Sequence, residues 1–223
     1  MKWLMLVAAG CGSTSAAPMI DHAPSIAVKP VADLCVTRGD IAQSAITQPT
    51  VRAFAPSAGG DAAELAFTFG GDADTSRALA NGQARRQVGL KLRAEDGCNV
   101  IYVMWRLDPK PKLDVSVKRN PGKRTHEECG ADGYTKVKPQ HALPVPPLAP
   151  GESHTLRAEI VGDDLSAWID GRLSWHGRLP DEARTLSGPA GLRTDNLRLD
   201  RVELSAAHGG GPAPACKRHD HEE

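Results

Sequence analysis

The feature that most constrains this chain is one device used again and again: a few residues alternating apolar and polar, then a turn built on Asp, Asn or Gly. Leu156, Ala158 and Ile160 alternate with polar neighbours and run into Gly162-Asp163-Asp164. Leu165, Ala167 and Ile169 follow, then Asp170-Gly171, then Leu173 to His176. A period of two places one face of each segment in a core and the other outside it, and turns this short join antiparallel neighbours. Upstream, Val88, Leu90 and Leu92 alternate with Gln87, Gly89, Lys91 and Arg93 before Asp96-Gly97, and Leu113, Val115 and Val117 run to Asn120-Pro121-Gly122. Between them, Cys98 to Trp105 is apolar on both parities, as suits a central strand covered on both sides. Leu197 and Leu199 give way to Val202 and Leu204, an inward parity that slips and predicts a bulge near Asp200.

The 22 Gly, 17 Pro and 4% aromatic content suit many short elements joined by turns and argue against a helical bundle. The expected fold is all-β, a two-sheet antiparallel β-sandwich of jelly-roll type, in one domain over residues 31–205. Four segments sharpen this: His154 to Ile160, Leu165 to Gly171, Gly188 to Thr194, and Leu199 to Leu204. Their hairpin with an x-D-G turn, G-x-x-G-L-R strand and final x-D-x-V-x-L strand resemble the C-terminal half of concanavalin A-like lectin/glucanase domains. The resemblance covers about 55 residues of the domain; Gln87 to Pro139 carries none of its motifs. It implies a lectin- or glucanase-like site, and a structural calcium near Asp200, where one visible carboxylate is too few to hold one.

The N-terminus reads as a targeting segment. Lys2 precedes Trp3-Leu4-Met5-Leu6-Val7-Ala8-Ala9, which is far shorter than the ~20 residues that span a bilayer. Val7-Ala8-Ala9-Gly10-Cys11 resembles the lipobox of bacterial lipoproteins, which implies lipidation at Cys11 after a signal peptide over residues 1–11. The alternative is an ordinary signal peptide cut near Ala16 or Ala17, and either one exports the protein to a cell envelope or surface. Residues 12–30 then read as a flexible tether and 206–223 as a loosely attached tail.

Five cysteines leave one to explain in an oxidising compartment, and lipidation of Cys11 accounts for it. The other four can pair in three ways; Cys98 with Cys129 and Cys35 with Cys216 is favoured. By chain entropy these are worth roughly 3–4 and roughly 5 kcal/mol before strain. No C-x-x-C motif suggests redox or zinc chemistry, and His126-Glu127-Glu128-Cys129 lacks the second His of a zinc-protease helix.

The balance of 27 basic and 27 acidic residues provides no bulk field for nucleic acid, and a membrane is expected to be reached only through the lipid. A retaining glucanase needs two carboxyls ~5 Å apart on one strand face. No E-x-D-x-x-E array occurs, and Asp61/Glu64, Glu95/Asp96 and Glu127/Glu128 lack the strand spacing, so no catalytic residue is assigned. Rings with a polar handle suit sugar stacking: Trp105, Trp168, Trp175, Tyr102 and Tyr134. If the three strands from Gln87 to Asn120 are neighbours, their polar edges form one wall of a concave face. Trp105, Asn99, Lys91 and Lys118 are expected there, with Trp168 as a further outward ring. No cofactor or metal is expected. The sequence therefore points to non-catalytic binding of a glycan or other envelope polymer, with a glycoside hydrolase of the same fold or a structural envelope protein as alternatives.

Overall fold

The computed structural model describes residues 26–211 together with Ala213 and Cys216. Cys11, the rest of the signal segment and most of the tail lie outside the described residues. In chain order the strands are β1 (Val28–Pro30), β2 (Cys35–Arg38), β3 (Thr50–Phe54), β4 (Ala58–Asp72), β5 (Gln87–Leu92), β6 (Val100–Arg106) and β7 (Lys112–Lys118). There follow a one-turn helix α1 (His126–Cys129), then β8 (Tyr134–Lys136), β9 (His141–Ala142), β10 (Ser153–Val161), β11 (Asp164–Ile169), β12 (Arg172–Arg178), β13 (Gly191–Asp195) and β14 (Leu197–His208).

They form two seven-stranded antiparallel sheets, in the orders β1-β14-β4-β10-β11-β12-β9 and β2-β3-β13-β5-β6-β7-β8. This is the expected sandwich. The predicted turns connect the meander: Gly162-Asp163 joins β10 to β11, and Asp170-Gly171, with φ of 50° and 76°, joins β11 to β12. Two consecutive left-handed residues match the twist of a two-residue hairpin, which is why Asp-Gly works there. The parity slip on β14 is a register shift on either side of Leu199, next to Asp200 as expected.

Alternation decides what fills the space between the sheets. Leu65, Phe67 and Phe69 from β4, Leu156, Ala158 and Ile160 from β10, and Val88, Leu90 and Leu92 from β5 share one core cluster. Ile101, Val103 and Trp105 of β6 join it, whereas Val100, Tyr102 and Met104 form a small separate cluster on the far side of the second sheet.

The sandwich outgrows its predicted limits at both ends. Val28, Lys29 and Pro30, expected in the tether, pair with Ala207, Ala206 and Ser205. Ala206 and Ala207, expected in the tail, are buried there, small side chains giving no sequence signal of a strand that backbone pairing extends. Both favoured disulfides are formed, Cys35–Cys216 with Cα atoms 5.6 Å apart and Cys98–Cys129 with 5.9 Å.

Candidate functional site

The outer face of the second sheet is hollowed into a cleft of about 1350 Å³. Residues directly opposite on antiparallel strands share a face, so the register lays out its floor in rows. One row is Thr50, Asp195, Gln87 and Arg106; the next is Arg52, Arg193, Gly89, Met104 and Asp114. A third is Gly191, Lys91, Tyr102, Ser116 and Lys136, and the last joins Val100, Lys118 and Tyr134.

Asp195 is the pivot of this floor. Fully buried, it accepts from Arg52 Nη2 at 2.5 Å on one oxygen, and from Gln87 Nε2 at 2.6 Å and Arg193 Nε at 2.9 Å on the other. Burial disfavours its charge, but Arg52 and Arg193 outweigh that and hold the carboxyl below its usual range. Arg52 Nη1 is spent on the carbonyls of Val51 and Thr194. Arg193 instead reaches over the Tyr102 ring, its guanidinium carbon 4.9 Å from the centroid. Gly89, opposite Arg193, lies close against β6, where a Cβ would meet the Val103 carbonyl at 2.2 Å.

Lys91 stands beside Tyr102 with 6% of its surface exposed. Burial, then Arg52 and Arg193, push its ammonium down to about 7, with only Asp96 opposing them. Burial likewise pushes the Tyr102 hydroxyl up to about 12. Tyr102 stacks on Tyr134 at 6.2 Å and 23°, and Tyr134 remains 43% exposed, an apolar platform at the end of the floor.

The end wall is the segment 119–133, stapled by Cys98–Cys129. A capping box starts α1, with the Thr125 side chain bound at the Glu128 backbone and the Glu128 carboxylate returned to the Thr125 backbone. Carboxylates at the rim are engaged by protein donors: Asp114 by Arg106, Asp96 by the Cys98 amide and Asn99, and Glu95 by the Ser187 amide.

Of the residues expected in the site, Lys91 alone faces the cleft without a protein partner among the described residues. Trp105 does not face it: the ring is fully buried between the sheets, 5.9 Å from Phe67 and 5.2 Å from His154. It lies opposite Val88 and Leu113, both inward, so strand parity sends it away from Lys91 and Tyr102. Asn99 is a tie within the wall: its Nδ2 donates to Asp96 and the Lys123 carbonyl, and its Oδ1 accepts from Arg119 and the Asn120 amide. Lys118 borders the cleft, but its ammonium bonds the carbonyls of Gly97 and Gly130 and lies 5.2 Å over Tyr134. Trp168 points outward as expected, yet on the other sheet, and only 4% of it is exposed. It cannot share a site with Lys91. Asp200, the calcium expectation, pairs with Arg198 at 3.3 Å, and among the described residues no group of three metal-ligating side chains is assembled.

Arg52, Arg193 and Asp195 were not legible as a site, because only the pairing of β3, β13 and β5 unites them. Tyr102 and Tyr134 carried a signal as rings with a polar handle, without a reason to rank them above the tryptophans.

No protein-family model and no curated protein matches the sequence. Among solved structures, the chain is similar to carbohydrate-binding module CBM66 from Bacillus subtilis at 13% identity, TM-score 0.53, over 78% of this chain and 92% of that one. It also matches a tetrameric galectin from the ball sponge Cinachyrella sp. at 17% identity and TM-score 0.42, over 71% and 98% of the two chains. At this identity the first likeness speaks to the fold, a sandwich shared across most of both chains.

Proposed function

We propose that the protein is an exported glycan-binding domain that holds its ligand non-catalytically in the cleft of the second sheet. The observation that carries this reading is the floor itself: an exposed tyrosine ring beside buried cationic donors, in a cleft large enough for several sugar rings. A sugar's apolar face stacks on a ring while its hydroxyls bond polar groups alongside. The carboxylates around the floor are committed to protein donors, which supports binding over acid–base catalysis. One structural neighbour is itself a carbohydrate-binding module, and two disulfides fit an oxidising compartment. Anchoring through a lipid on Cys11, at a bacterial envelope, is part of the same proposal.

Glycan-array binding by the wild type, lost in Tyr134→Ala with the melting temperature nearly unchanged, is the expected result, since Tyr134 is half in solvent. Array binding that survives Tyr134→Ala would remove the platform from the site. For the anchor, Cys11→Ser should move the protein from the membrane to the soluble fraction, because without acyl chains the tether has no bilayer affinity.

A further inference from the structure

Among the described residues, the floor holds more positive charge than is neutralised there. Two buried cations, Arg193 and Lys91, and the partly buried Arg52 face one buried carboxylate, Asp195, and both oxygens of Asp195 are already taken by Arg52, Gln87 and Arg193. Arg52 turns its remaining donors to backbone carbonyls. Arg193 uses only Nε within the protein, so among the described residues its two terminal nitrogens have no acceptor. The Lys91 ammonium has none either, although it is nine-tenths buried. Asp96, the carboxylate that supports the Lys91 charge, is occupied by the Cys98 amide and the Asn99 side chain.

An unpaired buried ammonium destabilises a fold, and neutral hydroxyls do not require one: an Asn or Gln would serve them without that cost. A guanidinium end and an ammonium converging on one hollow match the geometry and charge of an oxyanion. Resting on the glycan reading of the cleft, we propose that Lys91 and Arg193 form a subsite for an anionic substituent of a polysaccharide, a uronate carboxylate or a sulfate or phosphate ester. Tyr102 lies under the Arg193 guanidinium and Asp195 holds its Nε at 2.9 Å, so the donors are aimed before the anion arrives.

The test is isothermal titration of the full chain with tetragalacturonate, its methyl ester, a sulfated disaccharide and inorganic sulfate, each at constant ionic strength. The variants are Lys91→Met, which keeps length and removes charge, and Lys91→Gln, which keeps a hydrogen-bond donor. The expected result is at least a tenfold preference for tetragalacturonate or the sulfated sugar over the methyl ester, abolished in both variants, with Lys91→Met melting higher than the wild type. Which charged sugar wins separates carboxylate from ester. Equal affinity for the methyl ester, untouched by Lys91→Met, would overturn the anionic subsite and leave the glycan reading standing. Sulfate binding that needs Lys91, without affinity for either sugar class, would keep the subsite and end the glycan reading. Binding of none of the four probes, with Lys91→Met no more stable than the wild type, would end both.

Discussion

The outer faces of the two sheets are built from similar materials and end differently. On the first sheet Arg157 lies between Glu64 and Trp168 in register, and it is answered by Glu159 at 3.5 Å and Glu64 at 4.0 Å. The chain crosses that face beside Arg157: the Ile26 carbonyl accepts from Arg157, and the Ile26 amide donates to Glu159 at 3.2 Å. On the second sheet Arg193 lies over the Tyr102 ring, but the charges do not cancel and, among the described residues, no segment covers the floor. The face that is covered has its charges matched within the protein. Buried donors without an acceptor occur there too, Arg157 Nε and Trp168 Nε1, so what marks the open face is its surplus of positive charge, more than unmet donors or rings.

The sharpest way to break the comparison is to remove the one charge that the open face does match. Asp195→Ala would leave the buried Arg193 and the partly buried Arg52 together without that counter-ion, and the expected cost is ~3–5 kcal/mol of stability, the range for halving a buried ion pair. Chemical denaturation would read it. A loss below ~1 kcal/mol, the value of an exposed pair, would mean that the floor is wetter than its burial implies.

This charge network also shows where sequence reading stops. The strands β5 to β7 and β10 to β14, the Asp-Gly turns and the bulge beside Asp200 were legible because each depends on local spacing, whereas cysteine parity called for two disulfides without fixing which of the three pairings forms. Tyr102 and Trp105 were legible as facing opposite ways. Which of them meets the core was not, since β6 is apolar on both parities and periodicity is silent in such a strand. The positions flanking it were informative after all: Leu90 and Leu92 point inward, Lys91 therefore outward, and pairing in register sets Tyr102 beside Lys91. Arg52 and Asp195 are 143 residues apart, and no pattern in one sequence couples them.

A smaller effect should follow from loosening the wall of the open face. Cys98 and Cys129 close a loop of 31 residues around Lys118 and α1. Replacing both with Ser is expected to cost roughly 3–4 kcal/mol on the chain-entropy account. The covered face has no share in that loop, so hydrogen exchange should rise in 119–133 and at β8 while β10 and β11 stay protected. Uniform loss of protection would show that the two faces do not behave as separate regions.

The smallest effect, and the most specific, is in pH. The Lys91 ammonium is pushed down to about 7 by burial and by Arg52 on β3 and Arg193 on β13, with Tyr102 on β6 beside it and Asp96 alone opposing. Its unfolded value is 10.5, so between these limits the unfolded chain binds a proton that the folded chain does not. Stability must then rise with pH across that window, by at most ~1.4 kcal/mol per pH unit and so roughly 1–3 kcal/mol between pH 7 and 9. Lys118, pushed down to about 8 chiefly by burial, adds a slope of the same sign that starts higher. Anion affinity should move the opposite way, falling as Lys91 loses its proton, so tetragalacturonate binding and melting temperature are expected to diverge over one pH range. In Lys91→Met the melting temperature should keep only the shallower slope that begins near the Lys118 value. If Arg157→Met on the covered face flattened the profile equally, the unmatched charge would not reside on the open face, and the contrast between the two sheets would fail.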